Sequence, residues 1–402
     1  MSTVTSEPST GVPHAEVQVD LDAIAHNVAT LRARAGGAQL MVVVKGDAYG
    51  HGLLPVARTA RSAGATWLGT ANLAESLALR AAGDRGRLLC WLHTDRDRFA
   101  DAVETDIDLG VSTATALHEV TRCAHANGRT ARVHLKVDTG LNRNGVTPAD
   151  LDQLLEVATA AQDAGDVVIV GMWSHFARAD EPGDQEVSAQ LERLRSAVAH
   201  ARTMGIDPEV CHIANSAATL TRPDTHLDLV RVGLAVYGLS PLVAQPDPGP
   251  HGLRPAMTVR ALLANVKRVP AGGGVSYGHQ YRTAQESTLV LVPMGYADGL
   301  PRHASSGPHG PGAPVLVAGE RRRVAGTVCM DQFVVDLGPD VDPGDVSIGD
   351  TVVLFGDAAR GEPTAEDWAL ASGTISYEIV SRIAPRQPRS YIGDTAGTGR
   401  PT

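Results

Sequence analysis

The sequence lacks several features that would mark a specialised protein class. Cysteine occurs four times in 402 residues, at Cys90, Cys123, Cys211 and Cys329, and no pair has C-x-x-C spacing. That argues against a disulfide framework or a zinc ribbon and fits a reducing compartment. Basic charge is in deficit: Lys+Arg is 35 against 45 for Asp+Glu, a net −10 with no basic run. Nucleic acid and anionic membrane are therefore poor partners. No apolar run reaches the ~18 residues of a membrane span. The opening MSTVTSEPSTGVP has no apolar signal-peptide core, so a cytoplasmic protein is expected. No metal site is expected either, since His303 and His309 lie in a Gly/Pro-rich loop without a third ligand.

What the chain does contain is length enough for two or three domains and a change of texture part-way along. Residues 1–13 and 393–402 read as polar tails. Between them, eight apolar runs fall at 40–44, 66–70, 88–92, 107–111, 133–137, 167–173, 209–213 and 228–232. Ala-, Leu- and Glu-rich stretches at 73–82, 113–127, 148–163 and 184–202 lie between them. Continuous rather than alternating apolar runs suit parallel strands covered on both faces. The count predicts a (β/α)8 barrel over 14–250, with a doubly wound sheet as the alternative. After the Pro/Gly-rich 241–256, Val-rich runs at 257–269, 287–293, 314–318, 324–328, 332–337 and 351–355 predict a mostly-β domain over 251–392.

In a barrel, reactive groups follow the carboxyl ends of strands. Lys45 comes directly after the first run, where burial can lower a lysine pKa and suit it to Schiff-base or proton-transfer chemistry. It could equally be a solvated loop lysine. Lys136, Asp138 and Arg143 follow the fifth run, Ser174-His175 the sixth, His212 to Ser216 the seventh, and Arg231 to Leu234 the eighth. Loops after strands seven and eight commonly cradle phosphate on backbone N–H groups. Ser216, Gly233 and Leu234 suit that use, although Ser216 could be a plain helix cap and His175 and His212 plain core histidines. A lysine facing a phosphate cradle describes a phosphorylated aldehyde cofactor, pyridoxal 5′-phosphate.

VVVKGDAYGHG at 42–52 resembles the pyridoxal-phosphate lysine motif of alanine racemases. HLKVDTGLNRNG (134–145), SHFA (174–177), HIANSA (212–217), RVGLAVYG (231–238), VSYGHQY (275–281), PMGYADGLPR (293–302), VCMDQ (328–332) and SYEI (376–379) follow in the family's order. The resemblance covers about 14–392. It implies a barrel plus a β domain, D-alanine supply for peptidoglycan, and a homodimer whose active sites join one subunit's barrel to the other's β domain.

By the same resemblance, Lys45 is the Schiff-base lysine and one acid/base, and Tyr277, from the partner subunit, is the opposed one. A phenol titrates near ~10, and the family's helpers match His212 and Arg231. Without the resemblance, Tyr277 would read as a half-buried strand tyrosine. Arg231 matches the arginine facing the pyridine nitrogen; it cannot take up a proton, which leaves a weak electron sink. Phosphate contacts map to Tyr49, Ser216, Gly233, Leu234 and Tyr377, and His175 matches a residue beside the cofactor ring. Arg143 and Met330 match substrate contacts, and Tyr296 matches a residue on the substrate's access path. Lys136 sits where some members carry a carbamylated lysine that orients the arginine; otherwise it pairs with Asp138. Asp47 stands where many members have Asn. A racemase of serine or broad specificity, a non-catalytic pyridoxal-phosphate carrier and a barrel-type decarboxylase are the other readings.

Overall fold

The computed structural model describes residues 13–94, 98–181, 183–242, 245–308 and 310–393. The tails expected at 1–13 and 393–402 lie outside them, apart from Pro13 and Gly393, as does His309. Two compact units emerge: one holds Asp20–Ala256, the other Met257–Tyr391 with the strand preceding Asp20.

That first strand, β1 (Ala15–Asp20), was expected at the start of the barrel. It instead pairs antiparallel with β10 (Met257–Leu262), Val17 opposite Val259. Its burial explains why. Ala15, Val17 and Val19 are buried while Glu16, Gln18 and Asp20 are not. Such alternation belongs to an antiparallel strand covered on one face.

The barrel strands are β2 (Gln39–Val43), β3 (Trp67–Thr70), β4 (Arg87–Cys90), β5 (Asp108–Val111), β6 (Ala131–Lys136), β7 (Val167–Trp173), β8 (Val210–His212) and β9 (Leu229–Val232). Each falls on one of the eight predicted runs. All are parallel, in the order β8-β7-β6-β5-β4-β3-β2-β9. Backbone bonds complete the ring between β8 and β9: Asp228 N–H to Cys211 O at 3.1 Å and Arg231 N–H to Ala214 O at 2.9 Å. Helices cover the outside. The first, Leu21–Ala35, buries Leu21, Ile24, Val28, Leu31 and Ala35 at helical spacing and is capped by Asp20, whose side chain accepts from Ala23 N–H. The Pro/Gly-rich stretch before Met257 is pinned to this helix. Buried Asn27 donates to Val236 O (2.9 Å) and Arg254 O (2.8 Å) and accepts from Arg254 N–H (2.8 Å).

In the second unit a six-stranded sheet runs Glu320–Arg323, Pro314–Val317, Thr351–Phe355, β10, β1, Arg389–Ile392. A three-stranded sheet holds β11 (Asn265–Val269), β14 (Ser287–Val292) and Phe333–Asp336; a hairpin of β12 (Gly274–Val275) and β13 (Tyr281–Arg282) lies between β11 and β14. The run 324–328 is not a strand. The strand is the polar Glu320–Arg323, while Val324, Ala325 and Val328 are buried in the loop after it. Apolarity there reports burial rather than extension. Among the described residues no helix is long and apolar enough to cross a membrane.

Asn27→Ala removes three hydrogen bonds of a buried side chain and takes the partner from Val236 O, Arg254 O and Arg254 N–H. Urea unfolding of the purified protein should show a loss of about 1–3 kcal/mol, while the far-UV circular dichroism of the native state stays unchanged.

Candidate active site

Lys45 opens a left-handed turn. Gly46, Asp47, Ala48 and Tyr49 have φ of 65°, 52°, 54° and 54°, with left-handed i→i−4 bonds from Ala48 N–H to Val44 O and Gly50 N–H to Gly46 O, both 2.9 Å. Such conformations cost L-residues ~1–2 kcal/mol each, so something must hold them. Asp47 does so from both ends: its carboxylate accepts from Leu53 N–H (2.7 Å) and its N–H donates to Glu75 (3.0 Å). An Asn oxygen could accept the same bond, so the Asp47 side chain serves the turn as an acceptor rather than through its charge. The turn sends Lys45 outward at the barrel mouth and sets the Tyr49 ring 4.7 Å from that of Tyr237.

The Tyr49 hydroxyl ends beside Gly233. A Cβ on Gly233 would lie 2.4 Å from the Tyr49 oxygen, so no other residue fits there unchanged. Ser216 is not the helix cap. Asn215 is, accepting from Ala218 N–H at 3.0 Å, which leaves the Ser216 hydroxyl to accept from Gly233 N–H (2.9 Å) and Ala235 N–H (3.4 Å). Tyr49, Ser216 and the Gly233-Leu234 backbone thus converge across the mouth from Lys45. Hydroxyls and a glycine backbone at a helix start fit a phosphate group.

Between the two lies a concentration of cations. Arg231 is 5% exposed and donates to His212 Nδ1 (2.8 Å), Ser174 O (2.8 Å), His175 Nδ1 (3.2 Å) and Ile213 O (3.3 Å). Burial lowers its pKa to about 9, which leaves it charged at neutral pH. Partial burial, then the charges of Arg143 and Arg231, hold the Lys45 amine below its ordinary pKa. Burial, Arg231 and Arg143 bring Lys136 to about 8. Lys136 lies 4.6 Å over the Trp173 ring and forms no ion pair among the described residues. Asp138 instead accepts from Gly140 N–H (2.9 Å) and Asn142 N–H (3.1 Å), shaping the loop that carries Arg143.

His212 departs from expectation. It is fully buried, both ring nitrogens are engaged, by Arg231 and by His134 (2.9 Å), and burial drives its pKa well down. It is neutral, and the positive field at this end comes from Arg231. His175 is likewise held neutral, by burial and then by Arg231 and Arg143. Three contributors escaped the sequence. Trp173 stacks on His212 (5.4 Å) and lies 4.8 Å from the Arg231 guanidinium. Trp91 lies 5.9 Å from the Lys45 amine. Gln190, fully buried, donates to His175 O (3.2 Å) and accepts from Ala177 N–H (2.9 Å), fixing the His175 loop. Aromatics at strand ends were the available signal.

The second unit carries the other four. Tyr277 is no half-buried strand residue. It lies in the turn joining β12 to β13, after Ser276 (φ 60°), and is 73% exposed. The Gly272-Gly273-Gly274 run leads into that hairpin. Thr327 donates to Tyr277 O (3.0 Å), Tyr296 N–H to Cys329 O (3.0 Å) and Ala297 N–H to Met330 O (2.9 Å). The turns bearing Tyr277, Tyr296 and Met330 are therefore knit together. Tyr377 lies on the helix Ser376–Arg382, 37% exposed.

The family model for the alanine racemase N-terminal domain matches residues 19–241, and that for the C-terminal domain matches 256–391. The chain belongs to the alanine racemase family. It is 55% identical to the alanine racemase of Streptomyces coelicolor over 95% of this chain and 97% of that one, and 52% identical to that of Thermobifida fusca over 94% and 98%. The crystal structure of alanine racemase from the D-cycloserine producer Streptomyces lavendulae aligns with a TM-score of 0.92 at 57% identity, covering 96% of this chain and 98% of that one. The barrel and mostly-β architecture is that of the family.

Lys136 gives a signed test. Its folded pKa of about 8 lies below the ordinary lysine value of ~10.4, so its penalty on folding is fully present below pH 8 and vanishes as pH rises to its unfolded value. Lys136→Met should raise the urea midpoint of the apo protein at pH 7, and the gain should fade toward about pH 10.

Proposed function

We propose that this chain interconverts L- and D-alanine, with pyridoxal 5′-phosphate held at the barrel mouth and Lys45 and Tyr277 as the opposed acid/bases. The observation that carries the reading is the convergence of Lys45 with the Tyr49–Ser216–Gly233 cradle and Arg231 on one barrel mouth. When bound, pyridoxal phosphate makes the α-proton of an amino acid acidic. Tyr49, Ser216, the backbone of Gly233 and Leu234, and Tyr377 would hold its phosphate. His175 would flank its ring, and Arg231 would face the pyridine nitrogen.

The rest is done by the chain. Lys45, its pKa already lowered, exchanges a proton with the α-carbon on one face. The Tyr277 hydroxyl does so on the other. One base per face is what inversion at a planar carbon requires. Arg143 engages the substrate carboxylate, Met330 lies at the substrate pocket, and Tyr296 borders the access path. Because Tyr277 stands on an exposed turn of the other unit, we place it in the site of a second copy, in a homodimer with two shared sites. The preference for a methyl side chain rests on Met330 and Tyr377 narrowing the pocket, and D-alanine is the product that cell-wall synthesis consumes.

Purified protein given pyridoxal phosphate should convert L-alanine to D-alanine faster than L-serine. Lys45→Ala and Tyr277→Phe should each lower kcat by at least ~10²-fold. Mixing the two inactive variants under exchange conditions tests the shared site. A mixed dimer regains one wild-type site, so equal amounts should recover about a quarter of wild-type activity. No recovery, with subunit exchange demonstrated, would place both bases in one copy; turnover of serine above alanine would change the substrate.

A further inference from the structure

A line of buried polar groups runs along the barrel interior from Arg231 to the opposite end, and nothing in the racemisation described above uses its far half. Arg231 meets His212 Nδ1 at 2.8 Å, His212 Nε2 meets His134 Nδ1 at 2.9 Å, and His134 Nε2 meets Asp108 Oδ2 at 3.2 Å. Asp108 opens β5, the end of the strand away from the mouth, and is 1% exposed. Its other oxygen accepts from Arg132 Nε at 2.8 Å; Arg87 lies 3.5 Å from Oδ2 and is bonded in turn to Glu209 at 2.9 Å. Indoles wall the line: Trp67 lies edge-on to His134 (5.4 Å) and Trp173 stacks on His212. Gly171 of β7 makes the central contact possible, since a Cβ there would come 2.2 Å from His134 Nδ1.

The ends of this line dictate its polarity. A guanidinium only donates, and an ionised carboxylate only accepts. With Arg231 donating to His212 Nδ1, the His212 proton must be on Nε2, donating to His134 Nδ1. The His134 proton must then be on its own Nε2, donating to Asp108. Each imidazole is neutral with one permitted tautomer. The low pKa directions of His134 and His212, burial first in both cases, are consistent with that.

We propose that Asp108 and His134 are positioning residues for racemisation: they fix the tautomer of His212 so that it must accept from Arg231, which aims the guanidinium at the cofactor's ring. The proposal rests on the reading that Arg231 faces the pyridine nitrogen. A reversed line would set an N–H of His212 against an N–H of Arg231 and turn the guanidinium away. Asp108→Asn brings that reversal about with little change of volume. Its amide oxygen would take the Arg132 bond, leaving the NH2 to donate to His134 and passing the inversion up to Arg231. An Asp→Asn change behind a histidine is known to act through the wrong tautomer in serine proteases.

The test begins on the apo protein, where the cofactor plays no part. Histidine-selective ¹⁵N labelling with long-range ¹H–¹⁵N spectra reads each ring's tautomer, with assignments from His134→Gln and His212→Gln. Wild type should show both rings protonated on Nε2 and untitrated from about pH 5.5 to about pH 8. Asp108→Asn should move the His212 proton to Nδ1 or break its bond to Arg231, at an unchanged far-UV spectrum. In the loaded enzyme it should lower kcat by at least roughly 10-fold with a smaller change in KM for alanine, the lower bound being that seen when the outer partner of a metal-binding histidine is lost. A wild-type ring that titrates in that window or carries its proton on Nδ1 would overturn the proposal, as would an Asp108→Asn protein with His212 and kcat both unchanged. Wild-type protein that races no alanine while showing the expected spectra would sink the reading of Arg231 and leave the line itself standing.

Discussion

The buried guanidinium of Arg231 is the constraint around which the barrel mouth is arranged. A cation at 5% exposure keeps its charge only if its donors are matched by acceptors. Among the described residues, the acceptors it has at hydrogen-bond distance are neutral: an imidazole nitrogen on each of His212 and His175, and the carbonyls of Ser174 and Ile213. Lys45, Lys136 and Arg143 add to the positive potential, and it lowers the pKa of each lysine. The indoles of Trp91 and Trp173 offer π faces in place of carboxylates. A mouth so built is costly when empty and favourable with an anion in it. A ligand with a phosphate at one end and a carboxylate at the other fits both ends of the potential.

The left-handed turn after Lys45 follows the same logic. Three non-glycine residues at φ above 50° would not adopt it unaided. Asp47 ties it to the helix beginning at Leu53 and to Glu75, so the strain is carried by packed outer elements. What the turn achieves is an opposed pair on one short segment. Lys45 goes to one side of the mouth and the Tyr49 hydroxyl to the Gly233 backbone on the other. A right-handed turn would project these two side chains along a different path.

How much of this was legible depended on what each signal reports. The eight barrel runs could be read because parallel strands buried on both faces leave continuous apolar segments, and all eight fell where expected. β1 lies inside the 14–250 span expected for the barrel yet belongs to the second unit, as its alternation AEVQVD, that of a half-covered antiparallel strand, allows. The run 324–328 misled because burial without extension looks the same as a strand in composition. At the site, Lys45, Ser216 and Arg231 stand at strand ends, where position carries meaning. Asp108 and His134 were passed over for the opposite reason. Asp108 starts its strand at the end away from the mouth and His134 lies inside its own, and only the register that brings His134 against His212 shows that an acid in IDLGV and a histidine in VHLKV belong to one line.

In the proposed reading the barrel supplies one base, Lys45, to one face of the α-carbon. The groups at the mouth described here, from Lys45 just after β2 round to Arg231 on β9, are rooted in the barrel wall. In the proposed reading the opposite face is assigned to Tyr277. It stands at a hairpin turn rather than within a sheet, on a backbone that Thr327 pins at 3.0 Å, and is 73% exposed in the single chain. Met330 at 53% and Tyr296 at 40% lie on turns bonded to the same neighbourhood. Large apolar and aromatic side chains grouped in the open mark a surface that another surface covers. In the proposed shared site, that exposure is what lets a second copy cover Tyr277, Met330 and Tyr296.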